Sequence, residues 1–118
     1  MGKRIIQQAR GKGSLTYQVR KRAYIYKIKY PLISGEAEIV DIIHSAAHSA
    51  PLIKLSLNNQ SFYIPAFNGA FVGKRIIIGN ETPKEGDVAF LKNIPIGVRI
   101  YNVERNPGDG GKMMRVAG

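Results

Sequence analysis

Leu52-Ile-Lys-Leu-Ser-Leu-Asn-Asn-Gln-Ser-Phe-Tyr-Ile-Pro-Ala66 carries two alternating runs on either side of an Asn58-Asn59 pair. In the first run Ile53, Leu55 and Leu57 point one way and Leu52, Lys54 and Ser56 the other, the period of a half-buried strand. Asparagine tolerates positive φ, so Asn58-Asn59 predicts a tight turn. Ser61 to Ala66 returns as the partner strand and reaches a proline, which suits a strand end or an edge. The middle of the chain therefore reads as a β-hairpin with an inward and an outward face.

Outward from the hairpin the same period recurs in short pieces. Glu36 to His44 predicts a strand with Ala37, Ile39 and Asp41 on one face and Glu38, Val40 and Ile42 on the other. Lys74 to Ile78 predicts a short strand whose Ile76-Ile77-Ile78 run suits burial on both faces. Asp87 to Lys92 predicts another, and Val98 to Val103 alternates Val98 and Ile100 against Arg99, Tyr101 and Val103. Turn residues separate these pieces at Pro31–Gly35, Phe67–Ala70 and Asn80–Gly86. No amphipathic helix is legible; Ala46 to His48 suits a single turn. Five or six short strands spaced by turns predict an all-β chain closed, or partly closed, into a small barrel. An oligonucleotide-binding (OB) barrel and an SH3-like barrel both fit that pattern.

Charge divides the chain unevenly. Of its 118 residues 18 are Lys or Arg and 8 are Asp or Glu, a net charge of +10. Residues 1–30 hold nine of the cations (Lys3, Arg4, Arg10, Lys12, Arg20, Lys21, Arg22, Lys27 and Lys29) and no acid; the rest holds nine against eight, a net of +1. A cationic leader on a nearly neutral body is the layout of a nucleic-acid arm on a folded module. A merely solubilising tail is the plainer reading. The chain has no cysteine, so neither disulfides nor thiolate chemistry are available. It has no apolar run long enough to span a membrane.

Residues 1–20 have few large apolar groups and are expected to order only against a partner. Residues 20–30 predict a strand, with Tyr24, Tyr26, Ile28 and Tyr30 on one face and Ile25, Lys27 and Lys29 on the other. Two uses compete for those tyrosines. They pack on the body as core, or they stack on unpaired bases as aromatic platforms do.

Pro107-Gly-Asp-Gly-Gly-Lys112 cannot hold a helix or a ladder strand. Its glycines are expected to bring bare N–H groups against phosphate, with Lys112 and Arg115 supplying charge. A nucleotide loop would need glycine at 106 and a hydroxyl at 113, where Asn106 and Met113 stand. His44 and His48 lie four apart without a third metal ligand on a legible helix. The eight carboxylates are scattered, and no nucleophile–base pair is evident. No catalytic residue, cofactor or metal is expected.

Three stretches resemble one known family. Asn-Val-Glu-x-x-Pro-Gly-Asp-Gly-Gly-Lys-x-x-Arg-x-Ala-Gly over 102–118, with Ile94-Pro95-x-Gly97 before it, looks like the signature of the universal large-subunit ribosomal protein L-two family in its archaeal form. Met1-Gly-Lys-Arg-Ile5 with Gln8-x-Arg10-Gly11-x-Gly13 fits its start. Ile39-Val-Asp-Ile42 with Ser49-Ala-Pro51 fits between, so the match runs in family order along the chain. The resemblance implies an OB-like first barrel, large-subunit ribosomal RNA and neighbouring ribosomal proteins as partners, a place in the cytoplasmic ribosome, and no enzymatic role. It implies that the family's second, SH3-like barrel and basic extension lie outside these residues. His48 stands where the family has an arginine close to RNA. Glu85-Gly86-Asp87 stands where it often has Pro-Gly-Asn.

The expected organisation is an extended basic arm over 1–30, an OB-like barrel over 31–105, and a Gly-rich linker over 106–118. The expected RNA contacts are Lys3, Arg4, Arg10, Lys12, Arg20, Lys21 and Arg22 in the arm, His48, and Gly110, Gly111, Lys112 and Arg115 at the loop. A free-standing OB module for single-stranded RNA is the alternative; it uses Tyr24, Tyr26, Tyr30 and Tyr63.

Overall fold

The computed structural model describes residues 2–116; Met1 and the Ala117-Gly118 end of the motif lie outside the described residues. The chain is all-β in its body. Four strands, β1 (Gly35–Ile43), β2 (Leu52–Leu57), β3 (Gln60–Pro65) and β4 (Arg75–Ile78), form one open antiparallel sheet in the order β3-β2-β1-β4. The β2–β3 hairpin is the one the alternation predicts. Leu57 pairs with Gln60 across Asn58 and Asn59, whose φ values of 47° and 63° give the two left-handed residues of a type I′ turn.

One face of the sheet carries the core. Ala37, Ile39, Ile53, Leu55, Leu57, Phe62, Ile64, Ile76 and Ile78 are buried together, with Tyr30, Phe67 and Val88 packed on their flank. Each large side chain so buried contributes roughly 1.5–3 kcal/mol. Several faces differ from expectation. Ile77 is 43% exposed between two buried isoleucines, because β4 buries only one side. Leu52 is fully buried although it points outward; Ser45 and Ala50 are buried nearby in sequence, so that end of the sheet is covered on both sides. Register against β2 shifts between Ile39 and Asp41. This bulge ends the alternation in β1 and leaves Asp41 exposed rather than on the face of Ala37.

Three expected strands are absent. Residues 20–30 form turns, in which Arg22 takes a φ of 65° and the Ala23 N–H donates to the Arg20 carbonyl at 3.1 Å. Ile28 meets the sheet through a parallel bridge to Tyr63, whose carbonyl also accepts the Lys29 N–H at 3.2 Å. Val88 makes a single bridge to Ile78, and Leu91–Asn93 coils into a 3-10 turn instead of continuing a strand. Residues 98–103 stay outside the sheet, with Asn102 at a φ of 52°. In each case alternation is present in the sequence but a second ladder to pair with is not. The sheet thus has four strands, fewer than the five or six expected.

The arm is not wholly extended: Ile6–Gly11 forms a short helix, α1, whose entry is closed by the Gln8 side chain accepting the Ile5 N–H at 3.3 Å. None of its residues is buried. The molecule is elongated, 67 × 31 × 24 Å, and exposes 9231 Å². A compact monomer of 13.0 kDa exposes about 6,300 Å². A chain with that excess has not buried itself.

Candidate nucleic-acid interface

The arm presents its cations unopposed. Lys3 and Arg4 precede α1, Arg10 closes its last turn, Lys12 caps it, and Arg20, Lys21 and Arg22 occupy the turn that follows; all are exposed. Among the described residues the one ion pair joins Arg75 to Glu36 at 3.8 Å, on the sheet. No carboxylate therefore neutralises the arm from within.

The arm's root is tied to the body by its tyrosines. Tyr26 packs on Tyr63 with ring centres 5.0 Å apart. The Tyr30 hydroxyl donates to the Asn102 carbonyl at 2.7 Å, and burial pushes its pKa up to about 12. Tyr24 stays 62% exposed and meets the His48 ring edge-on at 6.3 Å. Packing on the body thus holds for Tyr26 and Tyr30 but not for Tyr24.

His48 closes a turn after β1. Its N–H donates to the Ser45 carbonyl at 3.2 Å, and its Nδ1 lies 2.8 Å from the buried Ser45 hydroxyl. Burial, and then the nearby Arg115 guanidinium, lower its pKa below the ordinary histidine value. At neutral pH it is an uncharged polar group and not a phosphate-binding cation. Arg20, Tyr24, Ala46 and Ala47 line a groove of about 330 Å³ at this turn.

The glycine loop is built differently from its expected use. The Glu104 carboxylate accepts the N–H groups of Gly108 and Gly110 at 3.2 and 3.1 Å. The Asp109 carboxylate accepts those of Arg105, Asn106 and Gly111 at 3.0, 2.9 and 3.1 Å, and these bonds hold its pKa down. The expectation of bare glycine N–H groups facing phosphate is therefore corrected: Gly110 and Gly111 are buried and their amides are occupied. The loop's stem is closed by Val103, whose N–H donates to the Met113 carbonyl at 2.9 Å and whose own carbonyl accepts Lys112 and Met113. Lys112 remains exposed beside this closed loop. Arg115 is half-buried, its Nε donating to Asn102 Oδ1 at 3.1 Å.

Sequence reasoning overlooked Asn102, Glu104 and Asp109. Two acids spaced two to six residues from glycines were the signal, since carboxylates close tight loops by accepting nearby N–H groups. Among the described residues no group of three His, Asp or Glu could hold a metal ion, and no helix is long and apolar enough to cross a membrane.

Curated proteins similar to this chain along its whole length are large-subunit ribosomal proteins. Large ribosomal subunit protein uL2 of Picrophilus torridus is 43% identical over 120 residues, covering 100% of this chain and 51% of the relative. The chain belongs to the uL2 family. The uL2 of Thermoplasma acidophilum is likewise 43% identical over 120 residues, and that of Sulfolobus acidocaldarius 39% over 122, each covering 100% of the chain and 51% of the relative. The chain thus spans about half the length of the curated uL2 relatives it matches. No family model matches it. The family read from the motifs at 1–13, 39–51 and 94–118 is the family of these uL2 relatives.

Proposed function

We propose that the chain is a structural, non-enzymatic constituent of the large ribosomal subunit in the cytoplasm, binding ribosomal RNA and lying beside other ribosomal proteins. The observation that carries this reading is the arm: nine cations without an acid over 1–30, and no ion pair on any of them among the described residues. Such an arm is costly for a protein to keep unless a polyanion receives it. The names of the uL2 relatives and the surface excess support the same reading.

In this proposal residues 1–30 are the RNA-binding arm, 31–105 an OB-like barrel, and 106–118 a Gly-rich connection toward a second barrel. Support for a barrel comes from the two sheet edges, each met by a single bridge, Ile28 to Tyr63 and Val88 to Ile78. Lys3, Arg4, Arg10, Lys12, Arg20, Lys21, Arg22, Lys112 and Arg115 neutralise phosphate. His48 adds an uncharged contact, and Gly110 and Gly111 act by shaping the loop that carries Lys112. RNA duplexes hide base edges in a deep groove, so recognition is by shape.

The test is the salt dependence of binding to a large-subunit RNA fragment. With about five phosphates neutralised, log affinity falls against log salt with a slope of roughly −3 or steeper. Deleting residues 1–22 flattens that slope; an unchanged slope overturns the assignment of the arm.

A further inference from the structure

The sequence alone offers four tyrosines as base-stacking platforms, and the fold withdraws three of them. Tyr26 and Tyr63 lie against each other, and Tyr30 is anchored through its hydroxyl. Tyr24 is left with most of its surface open, at the mouth of the groove lined by Val19, Arg20, Ala23, Ala46 and Ala47. We propose that this groove receives a single unpaired RNA base, stacked on Tyr24, with the adjoining phosphate at Arg20.

Four features argue for that occupant. The groove, about 330 Å³, falls within the range of small-ligand sites, about 300–1,000 Å³. Its walls combine an aromatic ring, small apolar side chains and a cation, the surfaces that a base and its phosphate complement. Arg20 has no carboxylate partner among the described residues, so its charge is available. His48 stands edge-on to Tyr24 with its Nδ1 held by the Ser45 hydroxyl, which leaves its other ring nitrogen able to exchange a hydrogen bond with the edge of a base. Unpaired nucleotides in loops and bulges are the parts of RNA whose bases can be splayed onto aromatic side chains. The inference rests on the RNA-binding reading above and narrows it to one residue.

The test uses the full chain and two RNA hairpins, one fully paired and one carrying a single bulged fluorescent adenine analogue. The protein prefers the bulged hairpin and quenches the analogue on binding. Tyr24→Ala lowers affinity for the bulged hairpin about 5- to 100-fold, leaves the paired one unchanged and abolishes quenching, whereas Tyr24→Phe retains all three properties. Ala46→Trp, which fills the groove and keeps Tyr24, reproduces the loss, so the result does not depend on one variant's folding. A Lys3→Ala/Arg4→Ala variant weakens both hairpins alike. Wild-type affinity and quenching in Tyr24→Ala and Ala46→Trp, with the arm variant weakened, overturn the groove and leave the RNA reading standing. No binding of either hairpin by the wild-type chain overturns both.

Discussion

The Tyr30 hydroxyl and the Asn102 main-chain carbonyl, 72 residues apart in sequence, are joined by a 2.7 Å hydrogen bond. It fastens the root of the arm to the stem of the glycine loop, and the Asn102 side chain beneath it holds Arg115 at 3.1 Å. Removing the hydroxyl in Tyr30→Phe costs about 1 kcal/mol in urea unfolding. Burial raises the folded pKa of Tyr30 from 10.0 to about 12. Its contribution is therefore complete below pH 10 and is lost as pH rises from 10 through 12, because the unfolded chain releases the proton first. Alkaline unfolding followed by circular dichroism is shallower in Tyr30→Phe across that window.

Gly111 and Gly108 separate two costs that a glycine can hide. Both take left-handed φ, 94° and 83°, but a Cβ on Gly111 would lie 2.7 Å from Asn102 Cγ, whereas one on Gly108 meets nothing within 4 Å. Gly108→Ala is expected to cost about 1 kcal/mol for its conformation alone. Gly111→Ala adds the displacement of buried Asn102 and costs about 2–4 kcal/mol. Paired urea titrations measure the difference.

Glu104 holds two glycine amides with one carboxylate. Glu104→Ala removes the acceptor of the Gly108 and Gly110 N–H groups and loosens the loop, so their hydrogen exchange accelerates about tenfold or more, the effect of losing about 1.4 kcal/mol of local protection. Exchange at the Leu55 amide in the central hairpin is unchanged.

One-sided burial predicts unequal isoleucines. Ile53→Ala, from a fully buried position, costs about 2–5 kcal/mol. Ile77→Ala, at 43% exposure, costs about 1 kcal/mol or less. Equal losses would show that β4 is covered on both sides.

What the sequence made legible follows from how local each determinant is. The 52–66 hairpin is decided within a few residues, by alternation and by two asparagines able to adopt positive φ, and the structure reproduces it. The stretches at 20–30 and 98–103 alternate equally well, but a strand also needs an edge to pair with. Left-handed turns at Arg22 and Asn102 carry the chain off the sheet instead. The Ile76–Ile78 run gave no sign of which face was buried, since three identical side chains hide the period that assigns faces. In the candidate interface the cations could be counted directly, because exposure of an acid-free arm needs no tertiary information. The occupation of the glycine amides could not be counted this way. It depends on the loop turning back so that Glu104 reaches Gly110, a closure set by pairing between Val103 and Met113.

The side chains left uncovered between β4 and the glycine loop include Phe90, Leu91, Ile96 and Val98. The opposite end of the chain carries a bare string of lysines and arginines, the residues after which trypsin-like proteases cut, so limited proteolysis is expected to start in the arm and spare the sheet.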